Sequence, residues 1–350
     1  MSSNKLVIIA GIIVGLLGSF LVLWGNPLNM GICVACFVRD IAGGLGLHRA
    51  TPVQYIRPEV IGFILGSFIL SIFTGEFKPR GGSAPLIRFS LGIVMMIGAL
   101  AFLGCPLRML LRLAAGDLNA LIGFFGFAGG IWVGSEFLKM GFSLGRSPAL
   151  NKTNGFIVPL IMAILLIIFV ISPGIFLSST TGPGSLKAPL LLALGAGLLV
   201  GTLAQRSRLC TAGALRDLFL IKNPHLFYGI VGIFAAALLG NIILGNFSLG
   251  FSDQPIAHTD AIWNFLGLGL VGLTAVMLGG CPLRQLILAG EGNTDSGLVF
   301  MGMLAGAALS HNFGLAGSPA GLDLPGQVAV IIGFIFTLAI AGSVIFFNKK

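Results

Sequence analysis

The segment Gly-Cys-Pro-Leu-Arg closes an apolar run twice in this chain, at residues 104–108 and again at 280–284, an offset of 176. A second landmark, a cysteine followed six residues later by Arg-Asp, shifts almost equally, from Cys33 with Arg39-Asp40 to Cys210 with Arg216-Asp217. Two independent landmarks moving together point to an internal duplication, so the fold must be built from two similar halves.

The solvent of that fold follows from composition. With 56% hydrophobic and 9% charged residues and a mean hydropathy of +1.03, 350 residues hold too little polar surface for a soluble globule. The chain reads as an all-α polytopic integral membrane protein. Its first apolar run, Leu6 to Trp24, lacks a strong basic lead and a small-residue cleavage site, and is read as a retained helix. About ten runs have spanning length: five begin near Leu6, Glu59, Leu86, Leu118 and Gly155, and five near Ala188, Leu226, Ala261, Gly297 and Gly326. The expected organisation is a first repeat over 1–150, a linking helix over 151–187, and a second repeat with a C-terminal helix over 188–350.

Seven of the 20 basic residues belong to the motif segments; of the other thirteen, ten fall on one side of a ten-span arrangement. These are Lys5, Lys78, Arg80, Arg88, Lys139, Arg146, Lys152, Lys222, Lys349 and Lys350, against Arg49, Arg57 and Lys187 opposite. The positive-inside rule then puts both termini in the cytoplasm, which locates the protein in the cell's inner membrane. The net charge of +9 is a matter of topology and anionic headgroups, not of nucleic acid. Because a fifth span separates the halves, corresponding helices run in opposite directions. In such an inverted repeat the Cys33 and Cys105 segments enter from outside and the Cys210 and Cys281 segments from the cytoplasm, meeting near the midplane.

Each motif reads as a short re-entrant half-helix. Pro106 and Pro282 suit a first helical turn, which places Cys105 and Cys281 at helix N-termini, where free N–H groups favour an anion. Arg108 and Arg284 are expected about a turn further in. Arg39 with Asp40 and Arg216 with Asp217 are expected as locked ion pairs, because an unpaired intramembrane charge costs at least about 2.5 kcal/mol. They either staple the repeat interface or hold a guanidinium for substrate. Cys33-x-x-Cys36 has no second such pair and no His pair at ligand spacing, which argues against zinc. The counterpart of Cys36 is Gly213, so Cys36 stands outside the duplicated pattern. Asn241, Asn264 and His311 are expected to bond between helices. Glu136 and Lys139 read as a surface pair. There is no Walker motif, so the chain does not hydrolyse ATP, and no cofactor is expected.

These segments, their doubling and the spans around them resemble the YeeE/YedE, or sulphur transport, family over nearly the whole length. The run Asn29 to Asp40 and the run Gly116 to Ala120 resemble its branch of selenium transporters. The resemblance implies an hourglass-like bundle that imports a small sulfur or selenium anion through a central path of cysteines. Cys33, Cys105 and Cys281 match the family's central cysteines by motif, and Cys210 matches through the repeat. It also implies a small cytoplasmic carrier protein of the TusA type as partner. On the residues alone, a membrane thiol oxidoreductase or sulfurtransferase remains the competing class.

Overall fold

In the computed structural model, which describes residues 3–348, fourteen α-helices form and no extended strand is present among the described residues. Lys349 and Lys350, used in the charge argument, lie outside them. The helices are α1 (Ser3–Leu23), α2 (Val34–Gly44), α3 (Pro58–Phe73), α4 (Pro85–Ala101), α5 (Pro106–Ala114), α6 (Leu118–Lys139) and α7 (Lys152–Ile171), then α8 (Leu190–Ser207), α9 (Thr211–Ile221), α10 (Phe227–Ile243), α11 (Ala261–Met277), α12 (Pro282–Gly290), α13 (Thr294–Asn312) and α14 (Leu324–Asn348). Ten have 16 residues or more; the other four, α2, α5, α9 and α12, have 9 to 11. Eight segments are long and apolar enough to cross a membrane, three of them joining a long helix to the short one after it. The long helices are apolar nearly all round, as expected where one side meets lipid and the other protein.

The duplication is legible helix by helix. α2 and α9 match at 177 residues' separation and have the same length, as do α4 with α11 and α5 with α12 at 176. α1 to α6 therefore correspond to α8 to α13, leaving α7 and α14 outside the repeat. Both of these present apolar faces that no other part of the chain covers, including Leu160, Ile164 and Ile171 of α7 and Ile332 and Ile335 of α14, surfaces suited to lipid.

The closest helix pairs each join one half to the other: α1 with α10, α3 with α8, α4 with α13 and α6 with α11. Correspondence turns the first pair into the second and the third into the fourth. Glycines let these backbones touch. Gly11 of α1 abuts Gly229 and Gly15 abuts Ile233, while Gly126, Gly130 and Gly134 of α6 abut Phe265, Gly269 and Val276 in turn. Residue numbers climb together, so partners run parallel. α1 ends where α3 begins, at the 2.8 Å bond from Asn26 to Glu59, so these two run oppositely. Because α8 is parallel to α3, it opposes its counterpart α1, and the repeat is inverted.

Loops collect at two ends. One holds residues 74–84, 140–151 and 291–293, tied by bonds such as Lys78 N to Glu291 O and Gly81 N to Pro148 O. It carries Lys78, Arg80, Arg146 and Lys152, and is here called the basic end. The distal end gathers residues 45–57, 172–189, 244–260 and 313–323. Glu136 and Lys139 pair at 2.7 Å near the basic end, both substantially exposed.

Candidate functional site

Four cysteines occupy four equivalent places: Cys33, Cys105, Cys210 and Cys281 are the N-cap residues of α2, α5, α9 and α12. The thiols of Cys33 and Cys210 do the work of a capping hydroxyl, accepting the N–H groups of Cys36 at 3.3 Å and Gly213 at 3.2 Å. Pro106 and Pro282 stand at the first helical position, where a missing N–H costs nothing. The helix before each proline is stopped by a left-handed residue, Leu103 (φ 64°) in one half and Gly279 (φ 80°) in the other. Leucine adopts that conformation at a cost of roughly 1–2 kcal/mol. Its carbonyl oxygen is held in place by the Arg108 guanidinium and by the Cys36 thiol at 3.7 Å.

The short helices end among the loops and point their N-termini inward. Gly44 and Ala115 accept from Leu177 and Ser248 at the distal end, and Glu291 accepts from Lys78 at the basic end. Two N-termini consequently meet at each of two places. The Cys33 and Cys105 sulfurs are 3.9 Å apart, and the Cys210 and Cys281 sulfurs 3.7 Å apart. All five cysteines are free and at most 5% exposed. Each thiol pair thus lies in the positive potential of two helix dipoles.

Cys33 meets the thiol of Cys105 across the site as well as that of Cys36 in its own helix. Cys36 belongs to the distal cluster, receiving Arg108 Nη1 at 3.4 Å. The repeat comparison set it aside, since a glycine in the other half says nothing about which wall a side chain meets.

The motif arginines divide their labour. Arg39 Nε and Nη2 bond to Asp40 Oδ1 at 3.0 and 2.8 Å, while Asp40 Oδ2 takes Arg57 Nε at 2.8 Å, all within the buried interior. Arg57 spends its remaining donors on the carbonyls of Leu186 and Pro183 and lies over the Phe37 ring at 4.7 Å. Arg216 and Asp217 form the equivalent pair at 2.8 Å, but are 29% and 23% exposed. Arg108 is not held free for an anion. Besides Leu103 it bonds the carbonyls of Asn29 at 2.8 Å and Ile256 at 3.0 Å. Its counterpart Arg284 faces Glu291 at 3.3 Å. Arg112, which the sequence left without a role, is buried against Asp117 at 2.6 Å and over the Phe102 ring.

Each thiol pair has a cavity beyond it. At the basic end, about 210 Å³ is lined by Glu76, Lys78, Arg80, Arg208 and Glu291. Arg208 spans it, 2.9 Å from Glu76 and 3.2 Å from Glu291. At the distal end, about 400 Å³ is bordered by Arg39, Leu103 and the loops around Pro52, Pro183 and Ile256. Ser310 and His311 also line it. Two of the polar residues expected to link helices act otherwise: Asn264 bonds to the loop carbonyl of His258 at 3.0 Å, and the His311 ring lies tilted against that of His48 with centroids 4.7 Å apart.

Residues 206–345, which contain the basic-end thiol pair and its half-helices, match the model of the family described as Sulphur transport. That match covers 140 of the 350 residues, so it is the second half of the chain that is similar to the sulphur transport family. Among curated relatives, the "Thiosulfate transporter TsuA" of Escherichia coli (strain K12) is 29% identical over 129 residues, 36% of either chain. The protein of the same name from Spirochaeta thermophila is 31% identical over 119 residues, 33% of this chain and 36% of that one. The chain spans about a third of the length of each of these curated relatives.

Proposed function

We propose that this protein moves a small sulfur or selenium oxyanion, thiosulfate foremost, across the cytoplasmic membrane along a path lined by Cys33, Cys105, Cys210 and Cys281. The observation that carries this reading is the pair of thiol contacts, one per half, set at the inward N-termini of half-helices that come from opposite ends. A path used from both faces needs such symmetry; a single reaction centre needs one reactive thiol and one resolving partner. Thiols hold soft sulfur or selenium briefly, without the tight binding that would stop transit. The names of the two relatives favour thiosulfate, and the resemblance of Asn29 to Asp40 keeps selenium oxyanions as the next cargo to test.

The basic end faces the cytoplasm in this reading, and the anion enters at the distal end. A small sulfur-carrier protein of the TusA type takes the cargo at the basic end. Because the halves interlock, passage proceeds by local movement of side chains and half-helices, channel-like, with metabolic trapping inside as the driving force.

Proteoliposomes holding the purified full chain test this directly, comparing labelled thiosulfate, selenite and selenate. Uptake of one anion, abolished by Cys105→Ala and by Cys281→Ala in folded, inserted protein, is the expected result. Normal uptake by both variants removes the cysteine path. Conversion of the anion, or its covalent retention on the protein without accumulation, replaces transport by thiol oxidoreductase or sulfurtransferase chemistry.

A further inference from the structure

The distal cavity contains polar groups that the thiol path does not use. Ser310 is wholly buried, yet its Oγ has no hydrogen-bond partner, and neither has His311 Nε2; both residues line the cavity. Buried hydroxyl and imidazole groups are nearly always paired, and two neighbouring exceptions on one wall call for a ligand atom. Arg39 also lines the wall, and its Nη1 lies outside its bonds to Asp40.

The charge around that wall is unbalanced. Asp40 is shared by Arg39 and Arg57, so three buried charges sum to one positive. Glu59, the buried acid at the start of α3, is engaged by the Asn26 amide and interacts with the charge of Arg57, away from Arg39. His48 is fixed as a spectator. Its Nδ1 accepts the Ala50 N–H at 3.3 Å, so its proton sits on Nε2, facing the Arg39 carbonyl at 3.0 Å. His311 packs against that ring, and its own Nε2 has no partner within the protein. Apart from Ser318, whose hydroxyl faces the Gly321 carbonyl and the Ala320 N–H of its own loop, the rest of the wall, including Val53, Leu103 and Ile256, is apolar and strips water from whatever enters.

We infer that Ser310, His311 and Arg39 form an oxyanion-recognition site at the distal mouth, distinct from the thiols and used before them. A serine hydroxyl, an imidazole N–H and a guanidinium supply donors to the oxygens of a partly dehydrated oxyanion. Leu103 is shared: it borders the cavity, and its carbonyl is the one bound by Cys36 and Arg108. Leu103 thus stands between the cavity and the Cys36 thiol. This rests on the transport reading above, and gives that path its selectivity for oxygen-bearing anions.

The test uses purified full-length protein and labelled thiosulfate, measuring equilibrium binding in detergent and uptake in proteoliposomes. The variants are Ser310→Ala and His311→Phe, the latter keeping a ring against His48. Each is expected to raise both Kd and the half-saturating concentration about tenfold, the loss of one charge-assisted hydrogen bond, with a smaller change in saturated rate. Cys105→Ala is expected to bind normally and not to transport. Wild-type affinity in both Ser310→Ala and His311→Phe, with wild-type uptake intact, overturns the recognition site and leaves the transport reading standing. Equal loss of binding in Cys105→Ala also overturns it, by moving recognition to the thiols. A wild-type protein that neither binds nor takes up thiosulfate, selenite or selenate refutes the transport reading itself.

Discussion

Asp40 and Asp217 occupy equivalent positions in the two halves, but replacing each with asparagine should have very different effects on stability. Asp40 is fully buried and holds two guanidiniums, Arg39 at 2.8 Å and Arg57 at 2.8 Å, both also buried. Asp40→Asn leaves two neighbouring positive charges without their shared counter-charge, and breaking a buried pair in this way costs about 3–5 kcal/mol. The carbonyls of Leu186 and Pro183 still hold Arg57, which argues for the lower part of that range. Asp217 pairs with Arg216 alone, and the two are 23% and 29% exposed, so Asp217→Asn falls in the class worth about 0–1 kcal/mol. At roughly 2–4 °C per kcal/mol for a large domain, Asp40→Asn should lower Tm by at least about 6 °C and Asp217→Asn by no more than about 4 °C. Tryptophan fluorescence during heating of detergent-purified protein reads both. Equal drops, or a larger one for Asp217→Asn, would refute the reasoning that burial rather than motif identity sets the worth of these pairs.

Mild oxidation with copper phenanthroline should link Cys33 to Cys105 and Cys210 to Cys281, the sulfurs being 3.9 and 3.7 Å apart, and peptide mass spectrometry will show whether Cys36 competes. Gly130→Leu should prevent recovery of monodisperse protein on size exclusion, because any side chain there runs into the Gly269 backbone. Gly129→Leu, whose added carbon meets only the Phe265 ring edge at 4.0 Å, should purify like wild type and serves as its control. Arg208→Ala removes the cation between Glu76 and Glu291, and should raise maleimide labelling of Cys281 from the basic side several-fold; unchanged labelling means that Arg208 does not close that end.

The doubled motifs, the half-helices and their opposite directions were legible because each leaves a linear trace: a spacing, a proline after a cysteine, a count of apolar runs. Cysteines at helix starts follow from the same local chemistry. Pairing across the site has no such trace. That Cys33 meets Cys105, or that Arg57 leans on Asp40, depends on how residues 24–33 and 45–57 return into the fold, and return loops carry no period. Arg108 and Arg284 share one motif, yet one serves the carbonyl of Leu103 and the other faces Glu291, because the residues around them differ between halves. His311 reads from the sequence as an interhelical hydrogen-bonding residue and Ser310 gives no signal, and their lack of partners appears only once the distal loops enclose a cavity.

The four close helix pairs each take one member from either half, and that has a bearing on how the molecule is made. When translation has delivered α1 to α6, the backbone grooves cut by Gly11, Gly62, Gly92 and Gly126 still await partners that the ribosome has not reached. The first half must therefore wait in the bilayer as a loose set of separately inserted helices, its charged half-helices unsheltered, until α8 to α13 thread between them. Assembly is a late, concerted event, and the long 172–189 connection is the slack that lets the second half swing into place. Two separately synthesised halves divided in that connection have everything required to find each other in the membrane, whereas either one alone lacks half of every groove.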